Sequence, residues 1–346
     1  MNNKKPIFII AEMAWSHDGS AEKAKKIIKG ASDAGADAIS FHITHMEDYM
    51  VQDYGCSVGQ VVKQGKKKVK MYDYLQKLNL KDNDWKELFP YARKLGLKIC
   101  AMPNDSRSLK LCKKLNPDIY VIPPACFMEE DFMTKVAKEK KPVILRVGGA
   151  SLPEIKRAIY LIKKYNKKEI TLLHGIQSYP TKIEDTNLNL ISALIKTFKL
   201  PIGLADHIDA ESEMAYTVPL MAIPMGVSVI EKHLTHNRAL KGVDYVAALN
   251  PDEFKKFVGY IKEAEKALGI SYFKKLSRTE EKYRKVVRKR TVAAKDIKAG
   301  EKITKNNLTF KRADSGFYPD EIKKFFGKKT KYNIKKDEPI LKNKLK

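Results

Sequence analysis

The chain has 346 residues, of which 43% are hydrophobic, so it can bury a substantial core and is not intrinsically disordered. Its formal net charge is +26, but the basic residues are spread over most predicted helices and do not alternate with aromatic residues, so we expect no nucleic-acid partner. No apolar run approaches the ~20 residues of a membrane span. A solvated lysine surface remains, which favours the approach of small anions.

The four cysteines, Cys56, Cys100, Cys112 and Cys126, form no CxxC pair. The first residues lead directly into a short apolar segment and lack the pattern of a signal peptide. We therefore expect reduced thiols and a cytoplasmic protein with no membrane partner.

Short apolar segments recur along the first 230 residues. Near-continuous apolar character is typical of strands that are covered on both faces, as in a parallel sheet. The predicted strands are 7–10, 38–43, 97–102, 119–122, 143–147, 170–174, 202–204 and 227–230.

Amphipathic helices are predicted between these strands. The first follows Ser20 as N-cap and ends at Gly35, which suits a left-handed C-cap. The predicted helices include 21–34, 152–165, 188–198 and 251–268. About eight strand–helix units over roughly 250 residues predict a TIM (β/α)8 barrel over residues 1–270. A doubly wound open sheet is the alternative, although no glycine-rich phosphate loop follows the first strand.

Two further segments stand apart from this alternation. Residues 45–80 are too many for a simple strand-to-helix loop, and we expect them to form a lid over the barrel mouth. Residues 271–290 are highly charged and predict a helix or linker between domains, while 291–346 contain short strands with turns between them. Residues 291–346 are therefore predicted to form a small β-rich domain.

Two predicted strands end in a histidine beside a carboxylate. Asp206 precedes His207, and Glu231 lies two residues before His233. Neutral imidazole is the commonest nitrogen ligand of divalent metals, and a nearby carboxylate can fix its tautomer. From the residues alone, a metal-binding pair and two ordinary hydrogen-bonded histidines remain equally good interpretations.

Several motifs in a fixed order resemble the sialic acid synthase family over nearly the whole chain. They include Ile9-Ile10-Ala11-Glu12 with His17-Asp18-Gly19, Ser178-Tyr179-Pro180-Thr181, Asp206-His207, Ile230-Glu231-Lys232-His233, Gly242 with Asp244, and Arg290-Thr291-Val292-Ala293-Ala294. The last motif resembles the start of the family's C-terminal antifreeze-like (SAF) domain. The family condenses phosphoenolpyruvate with an N-acetylated amino sugar to give a nine-carbon sugar acid.

The resemblance implies roles for particular residues. A divalent metal, usually manganese and alternatively magnesium, would bind His207 and His233. Glu12 would orient or activate the attacking water, and Asp244 would hold sugar hydroxyls as the second catalytic residue. Arg290 would come from the partner subunit's small domain and close over the sugar, which implies a domain-swapped homodimer.

Other positions are expected to contact the small anionic and amino-sugar substrates. Tyr179 would line the floor of the site, and Gln177 stands where the family has an asparagine. Asp206 belongs to the family's strand-seven motif. His42 follows Phe41 at a barrel-mouth position, which makes it a substrate-binding candidate.

The departures from the family pattern fall on the positions that grip phosphoenolpyruvate. Ser40, Met102, Val121 and Pro124 replace lysines and hydroxyl donors, and only Arg146 adds a cation. Losing two cationic contacts would cost several kcal/mol, at about 1.5–3 kcal/mol per charged hydrogen bond. Three hypotheses remain: a synthase using phosphoenolpyruvate or a related small acid, a metal-dependent aldolase, lyase or epimerase, and a non-catalytic sugar-binding homologue.

Overall fold

In the computed structural model, which describes residues 6–53, 61–64, 67–269 and 275–346, eight parallel strands close into a barrel. The strands of the chain are β1 (Phe8–Glu12), β2 (Ala38–Ile43), β3 (Val61–Gln64), β4 (Lys67–Lys70), β5 (Lys98–Pro103), β6 (Ile119–Ile122), β7 (Val143–Arg146), β8 (Ile170–His174), β9 (Ile202–Asp206), β10 (Val229–His233), β11 (Lys289–Ala293) and β12 (Leu308–Arg312). The barrel runs in the order β1-β10-β9-β8-β7-β6-β5-β2 and closes through the pairing of Glu12 with His233. The predicted TIM barrel is confirmed and the open sheet is excluded.

Helices follow the barrel strands along the chain. They are α1 (Ala21–Ala34), α2 (Met46–Tyr49), α3 (Met71–Leu78), α4 (Asp82–Lys94), α5 (Ser106–Leu115), α6 (Glu130–Lys138), α7 (Leu152–Tyr165), α8 (Asn189–Phe198), α9 (Met214–Ala222), α10 (Pro251–Leu268) and α11 (Arg278–Val287). Helix α1 begins where Ser20 accepts a hydrogen bond from the Lys23 amide and ends at Gly35, whose φ is +80°. Capping boxes set the starts of α7 and α10, where the side chains of Glu154 and Glu253 accept hydrogen bonds from the backbone amides of Ser151 and Asn250.

The alternation of side chains along the strands decides what enters the barrel. Inward-facing apolar residues form a buried cluster that includes Ile10, Ile144 and Val229. Two residues further along the same strands stand Glu12, Arg146 and Glu231, all buried. The polar side chains therefore lie at the carboxyl ends of the strands, which is where TIM barrels build their sites.

The segment predicted as a lid contains α2, the antiparallel β3–β4 hairpin and α3. Met46, Tyr72 and Leu78 pack against Ala14 and Trp15 of the loop that follows β1. Residues 54–60 and 65–66 lie outside the described residues. A lid function stays a prediction.

The chain divides into two compact units, Met1–Gly269 and Ile270–Lys346. In the second unit, β11 and β12 pair antiparallel around a small core that includes Ile297, Ile303 and Ile334. The segment predicted as a linker contains helix α11, and β11 begins at its end. No helix in the described part of the chain is both long and apolar enough to cross a membrane.

Candidate active site at the carboxyl end of the barrel

A buried guanidinium joins two buried carboxylates at the centre of the barrel mouth. Nη2 of Arg146 donates to Oε2 of Glu12 at 2.5 Å and lies 2.7 Å from Oε1 of Glu231. The side chains of all three are at most 4% exposed. Oε1 of Glu12 also accepts a hydrogen bond from the Ala14 amide at 2.8 Å. Glu12 is thus fixed in orientation by contacts on both of its oxygens.

The two carboxyl groups respond differently to this common environment. Burial opposes the ionisation of Glu12, but the charges of His42 and Arg146 outweigh it and hold the pKa of Glu12 well below its usual value. Burial raises the pKa of Glu231 to about 8, although Arg146 acts in the opposite direction. Glu12 is therefore the ionised carboxylate at neutral pH, and Glu231 retains its proton over much of that range.

His207 and His233 face each other with ring centroids 5.1 Å apart. Nδ1 of His207 lies 2.8 Å from the carbonyl oxygen of Ile176, to which it donates, so Nε2 carries the lone pair. That Nε2 and both ring nitrogens of His233 are buried without hydrogen-bond partners. Burial is the largest cause that lowers the pKa of His207, to about 3, and that of His233, so both rings stay neutral.

These two imidazoles fit a divalent metal ion. Neutral, buried nitrogens with no internal partner are the donors such an ion requires, and ordinary hydrogen bonding leaves them unexplained. The described residues contain no group of three or more His, Cys, Asp or Glu side chains arranged to hold a metal. A metal here would have two protein ligands and would take its remaining ligands from water and substrate.

Asp206, which directly precedes His207, forms an ion pair with Lys232. Its Oδ2 accepts from Nζ of Lys232 at 2.5 Å, and the same ammonium donates to the carbonyl oxygen of Ile208 at 3.2 Å. Asp206 and Lys232 are both buried. These contacts link the ends of β9 and β10 beside the two histidines, and the substrate-binding role of Asp206 stays a prediction.

Four further predicted residues border the site. Nε2 of His42 lies 3.3 Å from Oε1 of Glu12. The Tyr179 ring lies 4.8 Å from the His207 ring, and its hydroxyl donates to Oε1 of Gln177 at 2.9 Å. Asp244 adopts φ +58°, and burial raises its pKa to about 6 while the charge of His42 lowers it. The structure therefore gathers His42, Tyr179, Gln177 and Asp244 around the histidine pair and Glu12.

A cavity of about 260 Å³ opens beside Arg146. Its walls are His42, Met102, Pro123, Pro124, Ala125, Arg146, Gly148 and Gln177. A Cβ on Gly148 would lie 1.7 Å from the Gly175 carbonyl oxygen, so this wall is bare backbone. Ser40 and Val121, which stand at the other family donor positions, are fully buried and do not line the cavity.

Arg290 belongs to the second unit, and its contacts lie within that unit. Its guanidinium lies 3.7 Å from the centre of the Tyr318 ring, and Nη1 donates to the Gly316 carbonyl oxygen at 3.4 Å. Stacking of this kind holds the side chain of an arginine in one orientation. The contribution of Arg290 to a substrate site stays a prediction.

Glu231 is absent from the predicted site residues, where it counts only as a neighbour of His233. The signal was present, because residues two apart on a strand face the same side, so Glu231 and His233 must enter the barrel together. The same alternation turns Asp206 away from His207. The contact between Arg146 and Glu231 joins residues on strands that are not adjacent, and no local pattern reports it.

Two protein-family models match this chain. The family model described as the NeuB family matches residues 27–272. This chain belongs to the NeuB family. A second model, the SAF domain, matches residues 291–346, so the predicted sialic-acid-synthase resemblance and the C-terminal SAF domain are both confirmed.

Similar proteins cover the chain from end to end. The N,N'-diacetyllegionaminic acid synthase of Campylobacter jejuni is 34% identical over 97% of this chain and 99% of that protein. The pseudaminic acid synthase of Helicobacter pylori is 32% identical over 97% of both chains. The crystal structure of an N-acetylneuraminic acid synthetase from Leptospira borgpetersenii in complex with citrate is 27% identical, with a TM-score of 0.70 over 83% of this chain and 96% of that one. The chain thus matches NeuB-family synthases over nearly its whole length.

Proposed function

We propose that this protein is a synthase that condenses phosphoenolpyruvate, or a related small acid, with an N-acetylated amino sugar to give a nonulosonic-type sugar acid. The observation that carries the proposal is the convergence of ionised Glu12 with the unpartnered imidazoles of His207 and His233 at the barrel mouth. The proposal is also supported by relatives named as legionaminic and pseudaminic acid synthases.

Nε2 of His207 and a ring nitrogen of His233 would hold a divalent metal, for which we expect Mn²⁺ and, as the alternative, Mg²⁺. Such an ion would act as a Lewis acid that polarises the sugar carbonyl. The Ile176 carbonyl fixes the tautomer of His207, which keeps Nε2 available as a ligand. Tyr179 packs against both rings and excludes water from that side.

Glu12 is ionised at neutral pH because its pKa lies well below its usual value. Its fixed carboxylate would act by orienting the water molecule that attacks the condensing substrate. With phosphoenolpyruvate as donor, the aldehyde carbon bonds to the donor methylene, water adds to the donor C2, and inorganic phosphate leaves. Asp244 would accept hydrogen bonds from sugar hydroxyls.

We further propose a homodimer in which the SAF domain of one subunit completes the site of its partner. Arg290 would then contact the sugar bound in the partner's barrel. This part of the proposal is supported by the ring stacking that already orients the Arg290 side chain, and by family resemblance.

The test is to incubate the Mn²⁺-loaded full chain with phosphoenolpyruvate and a panel of N-acetylated hexosamines. Turnover is measured as phosphate release and as sugar-acid formation. We expect sugar-dependent turnover that Glu12→Gln reduces by at least about 100-fold, the scale of a lost general base. The control Glu154→Gln changes a carboxylate that caps α7 and should leave turnover unchanged. Metal binding by a folded protein without turnover on any sugar would refute the condensation and favour an aldolase, lyase or epimerase.

A further inference from the structure

The guanidinium of Arg146 has one N–H group, at Nε, that the protein leaves without an acceptor. Nη2 makes both contacts with Glu12 and Glu231, whereas the buried Nε has no hydrogen-bond partner. The side chain is 4% exposed, so bulk water does not solvate this group freely. A charged donor in such a place gains most from a ligand oxygen, because an unmet buried donor costs about 1–3 kcal/mol or more.

The cavity beside Arg146 has the size and lining for a very small ligand. Its volume of about 260 Å³ lies below the ~300–1,000 Å³ typical of pockets for drug-sized molecules. Met102, Pro123, Pro124 and Ala125 give it apolar walls. Among its eight lining residues, only Arg146 carries a permanent positive charge.

The charges around Arg146 limit which anion can bind. One guanidinium already faces the ionised Glu12, so little positive charge remains for a ligand. A carboxylate oxygen can accept a hydrogen bond from the unpartnered Nε–H of Arg146, and the carboxylate carries a single charge. A phosphate dianion against Met102 and the prolines would lose its hydration without gaining a cation, which is costly.

We propose that Arg146 anchors the carboxylate of the donor, and that the cavity takes a small 2-oxo or 2-enol carboxylate of about three carbons. The cavity grips the carboxylate and makes no cationic contact with a donor phosphate. The inference rests on the proposed function for its place in the reaction, but its binding test needs neither the sugar nor turnover.

The first measurement is calorimetric binding to the metal-free wild-type chain at about 0.3 M salt, which screens the general attraction of anions to a basic surface. The ligands are pyruvate, phosphoenolpyruvate, methyl pyruvate and inorganic phosphate. We expect Kd values for pyruvate and phosphoenolpyruvate within about fivefold, binding of methyl pyruvate at least about tenfold weaker, and no competition by phosphate. The proposal would be overturned by any one of three results: phosphoenolpyruvate binds 100-fold more tightly than pyruvate, phosphate competes with pyruvate, or methyl pyruvate binds as tightly as pyruvate.

The second measurement uses Arg146→Lys, which keeps the charge but loses the planar fork. Pyruvate binding should weaken at least about tenfold. The matched control is Arg157→Lys, since Arg157 forms an exposed pair with Glu130 and should bind pyruvate as the wild type does. Unchanged pyruvate binding by folded Arg146→Lys would overturn the proposal; if this variant does not fold, the wild-type ligand series decides.

The two proposals fail separately. Carboxylate binding through Arg146 without turnover on any sugar would refute the condensation but keep the anchor. Turnover with phosphoenolpyruvate by an enzyme whose donor binding is phosphate-dominated would refute the anchor but keep the condensation.

Discussion

Replacing Arg146 by Met tests whether its charge holds two buried carboxylates in the barrel. The substitution preserves much of the side-chain volume but leaves Glu12 and Glu231 without their shared cation. Removing one partner of a buried ion pair costs about 3–5 kcal/mol, a large part of the ~5–15 kcal/mol that stabilises a typical domain. We expect a loss of that size at pH 7.5, measured by urea unfolding with the fluorescence of Trp15 and Trp85.

The loss should depend on pH in a defined direction. Without Arg146, the folded-state pKa of Glu12 rises above its unfolded value, and that of Glu231, which is already about 8, rises further. Stability is therefore lost as the pH rises and regained as it falls. At pH 5, where these groups can be protonated, the cost should fall below about 2 kcal/mol. Adding Glu12→Gln to the variant should recover part of the loss at pH 7.5, because Glu12 is the carboxyl group that is ionised at that pH.

The surface control is Arg157→Met, which breaks an exposed pair with Glu130 and should cost less than about 1 kcal/mol. The reasoning would be refuted if Arg146→Met cost no more than this control at pH 7.5. It would equally be refuted if the cost were the same at pH 5 and pH 7.5.

Three further predictions concern other parts of the molecule. Mixing Glu12→Gln subunits with Arg290→Ala subunits should restore about a quarter of wild-type turnover, since half of randomly formed dimers are mixed and one of their two sites is intact; no recovery would contradict the swapped dimer. Burial lowers the pKa of His17 to about 3, below its unfolded value near 6.5, so its contribution to stability is lost as the pH falls from 6.5. Between pH 6 and pH 4, the free energy of unfolding measured with urea should therefore fall less steeply with decreasing pH in His17→Asn than in the wild type, by up to ~1.4 kcal/mol per pH unit. Equal slopes for the two proteins would contradict this. Lys232→Met should weaken Mn²⁺ binding at least about tenfold, measured by electron paramagnetic resonance, with partial recovery in the double variant that also carries Asp206→Asn; unchanged affinity would show that the ion pair does not position the histidines.

Much of the barrel could be predicted from local patterns, and its boundaries show why. Helix α1 was predicted to the residue because Ser20 and Gly35 provide caps with a clear physical preference. Strands β9 and β10 extend further than predicted, since the apolar runs stop at Leu204 and Ile230 while the strands continue through polar site residues. An apolar run predicts the part of a strand that packs in the core, but it does not predict the polar end of the strand that lies in a site.

The candidate site could be predicted only where residue type and strand position sufficed. The pairing of His207 with His233 followed from matching strand ends, and the structure brings them together. The sharing of Arg146 between Glu12 and Glu231 depends on closure of the barrel, which brings together positions more than 80 residues apart. Such contacts arise from the three-dimensional arrangement and leave no local trace in the sequence.

The ion pair of Lys232 and Asp206 joins the ends of β9 and β10, the two strands that lead to the histidines. Asp206 and Lys232 each directly precede a histidine of the pair, so their side chains leave the strand on the opposite face. Met102 on β5 and Pro124 after β6 take no part in this ion pair. Exchanges at Met102 and Pro124 would therefore leave this ion pair intact, which makes these two positions suitable starting points for engineering the proposed donor cavity.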